Sequence, residues 1–198
     1  MAAWSYGALH GRALAISNPK NAADVYILTA TAWNIVGINT VVRTIAGGSA
    51  RIKYPIQLGH LPPAYMTFDP SGLKDVMYPL DGQFDAQLVA FDKKFPHVFS
   101  VGEFASPKLN TTSNFTGPVM VLTGRNDAIA CDSRGNNTEH VADCGIGGGS
   151  IPGQLAEVFP NAQFGVYIAD KTGHNINLGY SASEAFGAAH GFLQFYGF

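Results

Sequence analysis

The sequence predicts an α/β fold with a mostly parallel sheet and flanking helices. Short apolar runs rich in β-branched residues alternate with helical patterns, which is typical of parallel strands joined by crossover helices. Two such runs lead into loops that present Asp127 and then His174. An aspartate and then a histidine, each in a loop directly after a strand, are typical of the acid and the base of a catalytic triad. The nucleophile of such a triad would lie earlier in the chain.

The core elements are predicted from apolar periodicity and from the residues that end helices and strands. The first helical pattern stops at Asn18-Pro19, and the β-rich run that follows is short enough to be a buried parallel strand. In chain order, the predictions are a helix at 6–18, a strand at 24–29, a strand at 119–123, a short helix at 155–159 and a strand at 162–169. The three strands are expected side by side, in that order, in one parallel sheet.

A last helix is predicted after Ser181, which forms a capping-box pattern with Glu184. Phe186, Ala189 and Leu193 are expected to point inward from this helix. No internal repeat and no low-complexity tract interrupts the chain.

Residues 31–116 break the alternation and are predicted to form an insertion. Within it, helices are predicted at 33–45 and 82–95, an aromatic and proline-rich stretch lies at 54–68, and a capping-box pattern at Ser100 opens a third helix. The helix at 82–95 is expected to present one apolar face, formed by Phe84, Leu88, Phe91 and Phe95.

Ser5 is the candidate nucleophile, because the stretch 3–7 (AWSYG) fits a sharp turn from a strand into the first helix. A serine hydroxyl is a weak nucleophile and needs a base within hydrogen-bond reach. An imidazole suits that role near neutral pH, and a carboxylate on its other nitrogen fixes the tautomer. We therefore expect Ser5, Asp127 and His174 to be the catalytic residues, with the Tyr6 backbone N–H as one oxyanion-hole donor.

These stretches resemble α/β-hydrolases, most closely the secreted fungal members of that superfamily. The resemblance rests on residues 5–7 (SYG), 122–127 (LTGRND) and 173–175 (GHN). It covers essentially the whole chain, but only the C-terminal part of the family's domain. Ala3 stands where the family motif G-x-S-x-G has its first glycine.

The resemblance implies a partial α/β-hydrolase fold with two parts. Residues 1–30 and 117–198 would form the core, and residues 31–116 an inserted helical cap or lid. The first strands of the family's domain, and the loop that supplies its second oxyanion donor, have no counterpart in this sequence. We therefore expect a truncated chain of a longer parent, with low activity of its own or none.

The resemblance further implies a serine hydrolase that acts on esters, and less readily on amides, through a Ser–His–Asp triad and an acyl-enzyme. The expected partner is a small-molecule substrate, an apolar ester, and no cofactor is expected. The alternative is a truncated, non-catalytic remnant that binds an apolar ligand or a partner through its cap. Taken singly, Asp127 could be a turn residue and His174 a structural loop histidine, and Asp132 and Asp143 are rival acids.

Composition argues against several other classes of protein. With 46% apolar and 13% charged residues, the chain is predicted to be globular rather than disordered. A formal net charge of -2 gives no electrostatic reason to expect nucleic acid. No apolar run is long enough for a membrane span, and no His/Cys/Asp cluster has the spacing of a metal site. Nothing in the sequence indicates the oligomeric state.

Two cysteines and three sequons suggest a secreted parent. Cys131 and Cys144 flank a loop rich in Gly, Asn and Asp, and a disulfide between them would fix this loop beside Asp127. N-glycosylation sequons begin at Asn110, Asn114 and Asn136. The first residues lack the basic and apolar regions of a signal peptide, so secretion is inferred for the parent. The alternative is a cytosolic protein with reduced cysteines and unused sequons.

Overall fold

The computed structural model describes residues 1–33, 46–69, 72, 76–78, 81–95, 97–104, 111–131 and 142–198. The helix predicted at 33–45 lies outside the described residues from residue 34 onward, and so do the sequons at Asn110 and Asn136. The described strands are β1 (Ala2–Trp4), β2 (Tyr26–Thr29), β3 (Ala46–Ser49), β4 (Tyr65–Phe68), β5 (Val98–Ser100), β6 (Pro118–Gly124) and β7 (Gln163–Ala169).

The helices are likewise numbered along the described chain. The α-helices are α1 (Tyr6–Ser17), α2 (Ala50–Lys53), α3 (Pro55–Leu58), α4 (Ala86–Asp92), α5 (Val101–Phe104), α6 (Ala128–Cys131) and α7 (Ala182–Phe195). Single turns or short runs of 3-10 helix are η1 (Gly147–Gly149), η2 (Pro152–Val158) and η3 (Ile176–Leu178).

The main sheet of the described chain is parallel, with strand order β1-β2-β6-β7. The predicted adjacency of the strands at 24–29, 119–123 and 162–169 is confirmed. β1 adds a further strand at the edge, where Ala2 pairs with Ile27 and Trp4 pairs with Thr29. All strands run the same way, so their carboxyl ends lie along one edge of the sheet.

Apolar side chains alternate between the two faces of this sheet, and each face has its own core. Tyr26 and Leu28 of β2 belong to a buried cluster that includes residues of α1 and η2. Ile27 of β2 belongs to a second cluster, against which residues of α7 pack. The sheet is therefore covered by helical elements on both faces, as in other parallel α/β folds.

A second, antiparallel sheet in the order β3-β4-β5 lies within the predicted insertion. This small sheet was not predicted from the sequence. β3 has the sequence Ala-Gly-Gly-Ser, which lacks the β-branched and aromatic residues that signal a strand. Pairing with β4 decides its conformation, and local propensity does not.

The predicted bounds of the helix at 82–95 are wrong. The helix is shorter, Ala86–Asp92, and its N-cap is Asp85, whose carboxylate accepts a hydrogen bond from the Gln87 amide. Val89 is its buried residue, whereas Phe91 and Phe95 are 60% and 55% exposed. Helical spacing groups residues on a face, but it does not say which face meets the core.

Two details of the last helix are also corrected. The Ser181 side chain makes no capping hydrogen bond; its hydroxyl donates to the Asp170 carbonyl at 2.6 Å. Phe186 is exposed, and Ala185 is the fully buried residue of α7. Ser181 thus fixes the helix start to the loop after β7, because the carbonyl of that loop competes for its hydroxyl.

Candidate active site

Ser5 lies in a sharp turn between β1 and α1. Its backbone has φ 53° and ψ -121°, and its amide donates to the Thr29 carbonyl at 2.8 Å. Among the described residues, the other non-glycine residues with positive φ are Ala30 and Lys171, which follow β2 and β7. Such conformations are costly and often cluster at functional sites. Here they cluster at the carboxyl edge of the main sheet.

Asp127 follows β6 and is completely buried. Its carboxylate caps α6, since Oδ1 accepts hydrogen bonds from the amides of Ile129 and Ala130 at 2.9 Å each. Oδ2 accepts a hydrogen bond from the Thr123 hydroxyl at 2.6 Å. These donors hold the carboxylate in one orientation and compensate for the loss of water around it.

His174 follows β7 and joins the two other predicted residues. Its Nδ1 lies 2.9 Å from Asp127 Oδ1, and its Nε2 lies 2.7 Å from Ser5 Oγ. Asp127 and His174 both have 0% exposed surface. Residues far apart in sequence therefore form one chain of hydrogen bonds at the carboxyl edge of the sheet.

The charge of Asp127 fixes the tautomer of His174. Burial by itself raises the pKa of the Asp127 carboxyl, but the facing imidazole and the hydrogen bonds from His174, Thr123 and Ala130 hold this pKa below its ordinary value. An ionised carboxylate only accepts hydrogen bonds, so Nδ1 of His174 donates to it. Nε2 of the neutral ring is then an acceptor, and the Ser5 hydroxyl donates to it. The hydroxyl proton already points at the nitrogen that could remove it.

The predicted disulfide between Cys131 and Cys144 is confirmed, with the two Cα atoms 5.1 Å apart. The Cys131 amide donates to the Asp127 carbonyl at 3.0 Å, and the Cys144 amide donates to the Arg125 carbonyl at 2.8 Å. The bridge therefore closes directly on the loop that carries the buried carboxylate.

Removing this disulfide is expected to lower the free energy of unfolding by about 3 kcal/mol, the chain-entropy value for a loop of this size. Cys131 and Cys144 are the two cysteines of the sequence, so the double variant Cys131→Ala/Cys144→Ala has no remaining thiol. Urea unfolding of this variant, with reduced wild-type protein as control, measures the difference. An unfolding midpoint equal to that of the oxidised protein would contradict the expectation.

Other predicted residues are placed as follows. Tyr6 is the first residue of α1, and its oxyanion role stays a prediction. The rival acid Asp143 is on the surface and pairs with Arg125 at 3.2 Å, and Asp132 lies outside the described residues.

Asn114 is exposed, as glycosylation requires. Glycosylation and secretion stay predictions, which a mass shift on removal of N-glycans would test.

Two residues at the site were not predicted. Thr123 donates to Asp127, and Trp4 contacts both the ring and the backbone of His174. Their signals in the sequence are modest: a threonine at the end of an apolar strand, and an aromatic residue directly before Ser5.

No protein-family model and no curated protein matches the sequence. Among solved structures, tomato methylketone synthase I, in a single-site mutant form, superposes with a TM-score of 0.54 at 10% identity, over 96% of this chain and 70% of the other. A mutant of polyneuridine aldehyde esterase gives a TM-score of 0.51 at 9% identity, over 96% and 69% of the two chains. BpoC of Mycobacterium tuberculosis, assigned as a non-heme bromoperoxidase, gives 0.50 at 14% identity, over 98% and 65%.

The chain has an α/β-hydrolase fold. It spans about two thirds of the length of these structures, between 65% and 70%. At such low identities the likeness concerns the α/β-hydrolase fold and nothing finer. None of the described helices is both long and apolar enough to cross a membrane.

Proposed function

We propose that the chain is a serine hydrolase that cleaves esters through an acyl-enzyme, with Ser5 as nucleophile, His174 as base and Asp127 as the acid member of the triad. The observation that carries this proposal is the unbroken hydrogen-bond chain from the buried Asp127 carboxylate through His174 to Ser5 Oγ. The positive φ of Ser5, in a turn from strand to helix, supports the same role.

In the first half-reaction, Ser5 Oγ attacks the carbonyl carbon of the ester while its proton passes to His174 Nε2. The imidazolium that forms is stabilised by the Asp127 carboxylate on its other nitrogen. The C–O bond to the alcohol then breaks, and the alcohol leaves with the proton from His174. The acyl group remains on Ser5 as an ester.

In the second half-reaction, His174 removes a proton from water, and the resulting hydroxide attacks the acyl-enzyme. The carboxylic acid leaves, and Ser5 recovers its proton from His174. In both tetrahedral intermediates the carbonyl oxygen carries negative charge, which needs preorganised N–H donors. The Tyr6 amide, at the first position of α1 directly after Ser5, is our candidate for one of them.

The proposed substrate is a small apolar ester bound between the core and a cap formed by residues 31–116. In support, described residues of this insertion contact both functional loops. The Met77 carbonyl accepts a hydrogen bond from the Asn175 amide at 3.2 Å, and the Gln83 side chain donates to the Asn126 side chain at 3.1 Å. One structure of similar fold is named an esterase, which is consistent with ester hydrolysis on this fold.

A fluorophosphonate probe tests the assignment of Ser5. Attack of Ser5 Oγ on phosphorus displaces fluoride and leaves a stable phosphonyl adduct. We expect wild-type protein to be labelled at Ser5, as shown by peptide mass spectrometry, and Ser5→Ala to show no label. Heat-denatured wild-type protein serves as the control for non-specific reaction.

Equal labelling of wild type and Ser5→Ala would refute the proposal. Folded wild-type protein that takes up no label would favour the other interpretation, a non-catalytic chain that binds an apolar ligand or a partner. Circular dichroism of the same samples shows whether the protein is folded.

A further inference from the structure

Trp4 contacts His174 in two ways that the proposed triad does not require. The indole N–H donates to the backbone carbonyl of His174 at 3.3 Å. The centres of the two rings lie 5.4 Å apart, with an interplanar angle of 51°. This distance is within the range of roughly 4.5–7 Å over which aromatic rings attract each other. Trp4 therefore contacts both the backbone and the ring of His174.

The place of Trp4 in the chain gives these contacts a consequence for the site. Trp4 ends β1 and directly precedes Ser5, so its indole connects the nucleophile turn to the loop that carries the imidazole. Ser5 and His174 are 169 positions apart in sequence, yet their side chains lie 2.7 Å apart. A rigid side chain with two torsion angles is well suited to fix such a distance at low entropic cost.

The ring contact also limits a motion that hydrogen bonds leave free. An imidazole held at Nδ1 by Asp127 and at Nε2 by Ser5 can still tilt about the line joining these two contacts. A neighbouring aromatic ring resists that tilt.

We propose that Trp4 is a positioning residue, which holds the His174 imidazole in the orientation that accepts the Ser5 proton. This inference rests on the proposed function of Ser5 and His174. It assigns to Trp4 no contact with the reacting atoms, and its effect is exerted through His174.

Two substitutions separate the two contacts. Trp4→Phe keeps an aromatic ring and removes the N–H donor, and Trp4→Leu removes both. Trp4 is 37% exposed, so truncation removes less buried surface than it would at a core position. The matched control is Phe164→Leu, because Phe164 is half-buried on the apolar cluster that contains residues of α1 and lies at the start of β7, at the other end of this strand from His174.

The first measurement is the second-order rate constant for labelling of Ser5 by the fluorophosphonate probe. Trp4→Phe is expected to slow labelling about 2- to 10-fold, the equivalent of one hydrogen bond. Trp4→Leu is expected to slow it on the order of 10- to 100-fold, as for a small misplacement of a reacting group. Phe164→Leu is expected to react at the wild-type rate. Wild-type rates in both Trp4 variants would overturn the proposal.

The second measurement does not depend on catalysis. The proton on His174 Nδ1 should give a low-field proton NMR signal, identified by its loss in His174→Gln. Because Trp4 orients the ring toward Asp127, this signal is expected to move or broaden in both Trp4 variants and to stay in place in Phe164→Leu. A substitution that only destabilises the fold would lower the thermal midpoint of unfolding without a specific effect on the NMR signal of this proton.

The two measurements distinguish a failure of this inference from a failure of the proposed function. If folded wild-type protein is not labelled, the proposed function fails, and the NMR signal alone decides whether Trp4 positions His174. If wild-type protein is labelled and neither Trp4 variant changes the rate or the signal, this inference fails and the proposed function stands. If Trp4→Leu does not fold, Trp4→Phe decides by the same two readouts.

Discussion

Asp127→Asn is expected to lower the rate of labelling at Ser5 by about 10,000-fold, with the fold retained. An asparagine has nearly the same shape and can still accept hydrogen bonds from the amides of Ile129 and Ala130. It cannot stabilise an imidazolium by charge, and the NH₂ group that replaces Oδ2 can no longer accept the hydrogen bond from the Thr123 hydroxyl. A loss of this size is typical when the buried acid of such a triad is replaced by its amide.

The matched control for this prediction is Asp143→Asn. Asp143 is one of the two rival acids in the sequence, but its side chain is on the surface and pairs with Arg125. The labelling rate of Asp143→Asn is expected to stay within about twofold of wild type, since surface ion pairs contribute little. If the labelling rate of Asp127→Asn stays within tenfold of wild type, Asp127 is excluded as the acid of the triad. A comparable loss of labelling rate in both variants would exclude it as well.

The grouping of the three candidate residues could be predicted because each of them lies at the end of a strand. Ser5, Asp127 and His174 each follow a strand of one parallel sheet, and parallel strands bring their carboxyl ends to one edge. Strands of this kind are short apolar runs and are visible in the sequence. The order Ser5, Asp127, His174 along the chain then indicated which residue would be the nucleophile, the acid and the base.

The contacts around the site could not be predicted in the same way. Trp4 contacts His174, which is distant in sequence. Thr123 is close to Asp127 in sequence, but their hydrogen bond depends on the direction of both side chains. Phe91 shows the same limit in the insertion, where regular spacing predicts one apolar face but not its burial, and the phenylalanine is 60% exposed. Periodicity describes one element, whereas burial depends on what packs against it.

Gly124→Ala is expected to lower the free energy of unfolding by about 3 kcal/mol or more, the upper range for overpacking. Gly124 ends β6, where the chain passes very close to the loop after β7. A Cβ at this position would overlap the backbone carbonyl oxygens of Gly173 and Thr172. Backbone cannot rotate aside as a flexible side chain can. The two segments are also joined by a hydrogen bond from the Asn126 amide to the Thr172 carbonyl at 2.9 Å.

The same substitution should also separate the proposed acid from the base, because Gly124 lies three residues before Asp127 and its clash is with the residues directly before His174. Urea unfolding measures the stability, and fluorophosphonate labelling measures the site in the fraction that stays folded. The control is Gly187→Ala in α7, where an added Cβ meets nothing within 4 Å. Alanine is the better helix former, so this variant is expected to gain roughly 0.5–1 kcal/mol. Opposite signs at the two glycines are the expected result, and equal stability of Gly124→Ala and wild type would show that the two loops are not in contact as described.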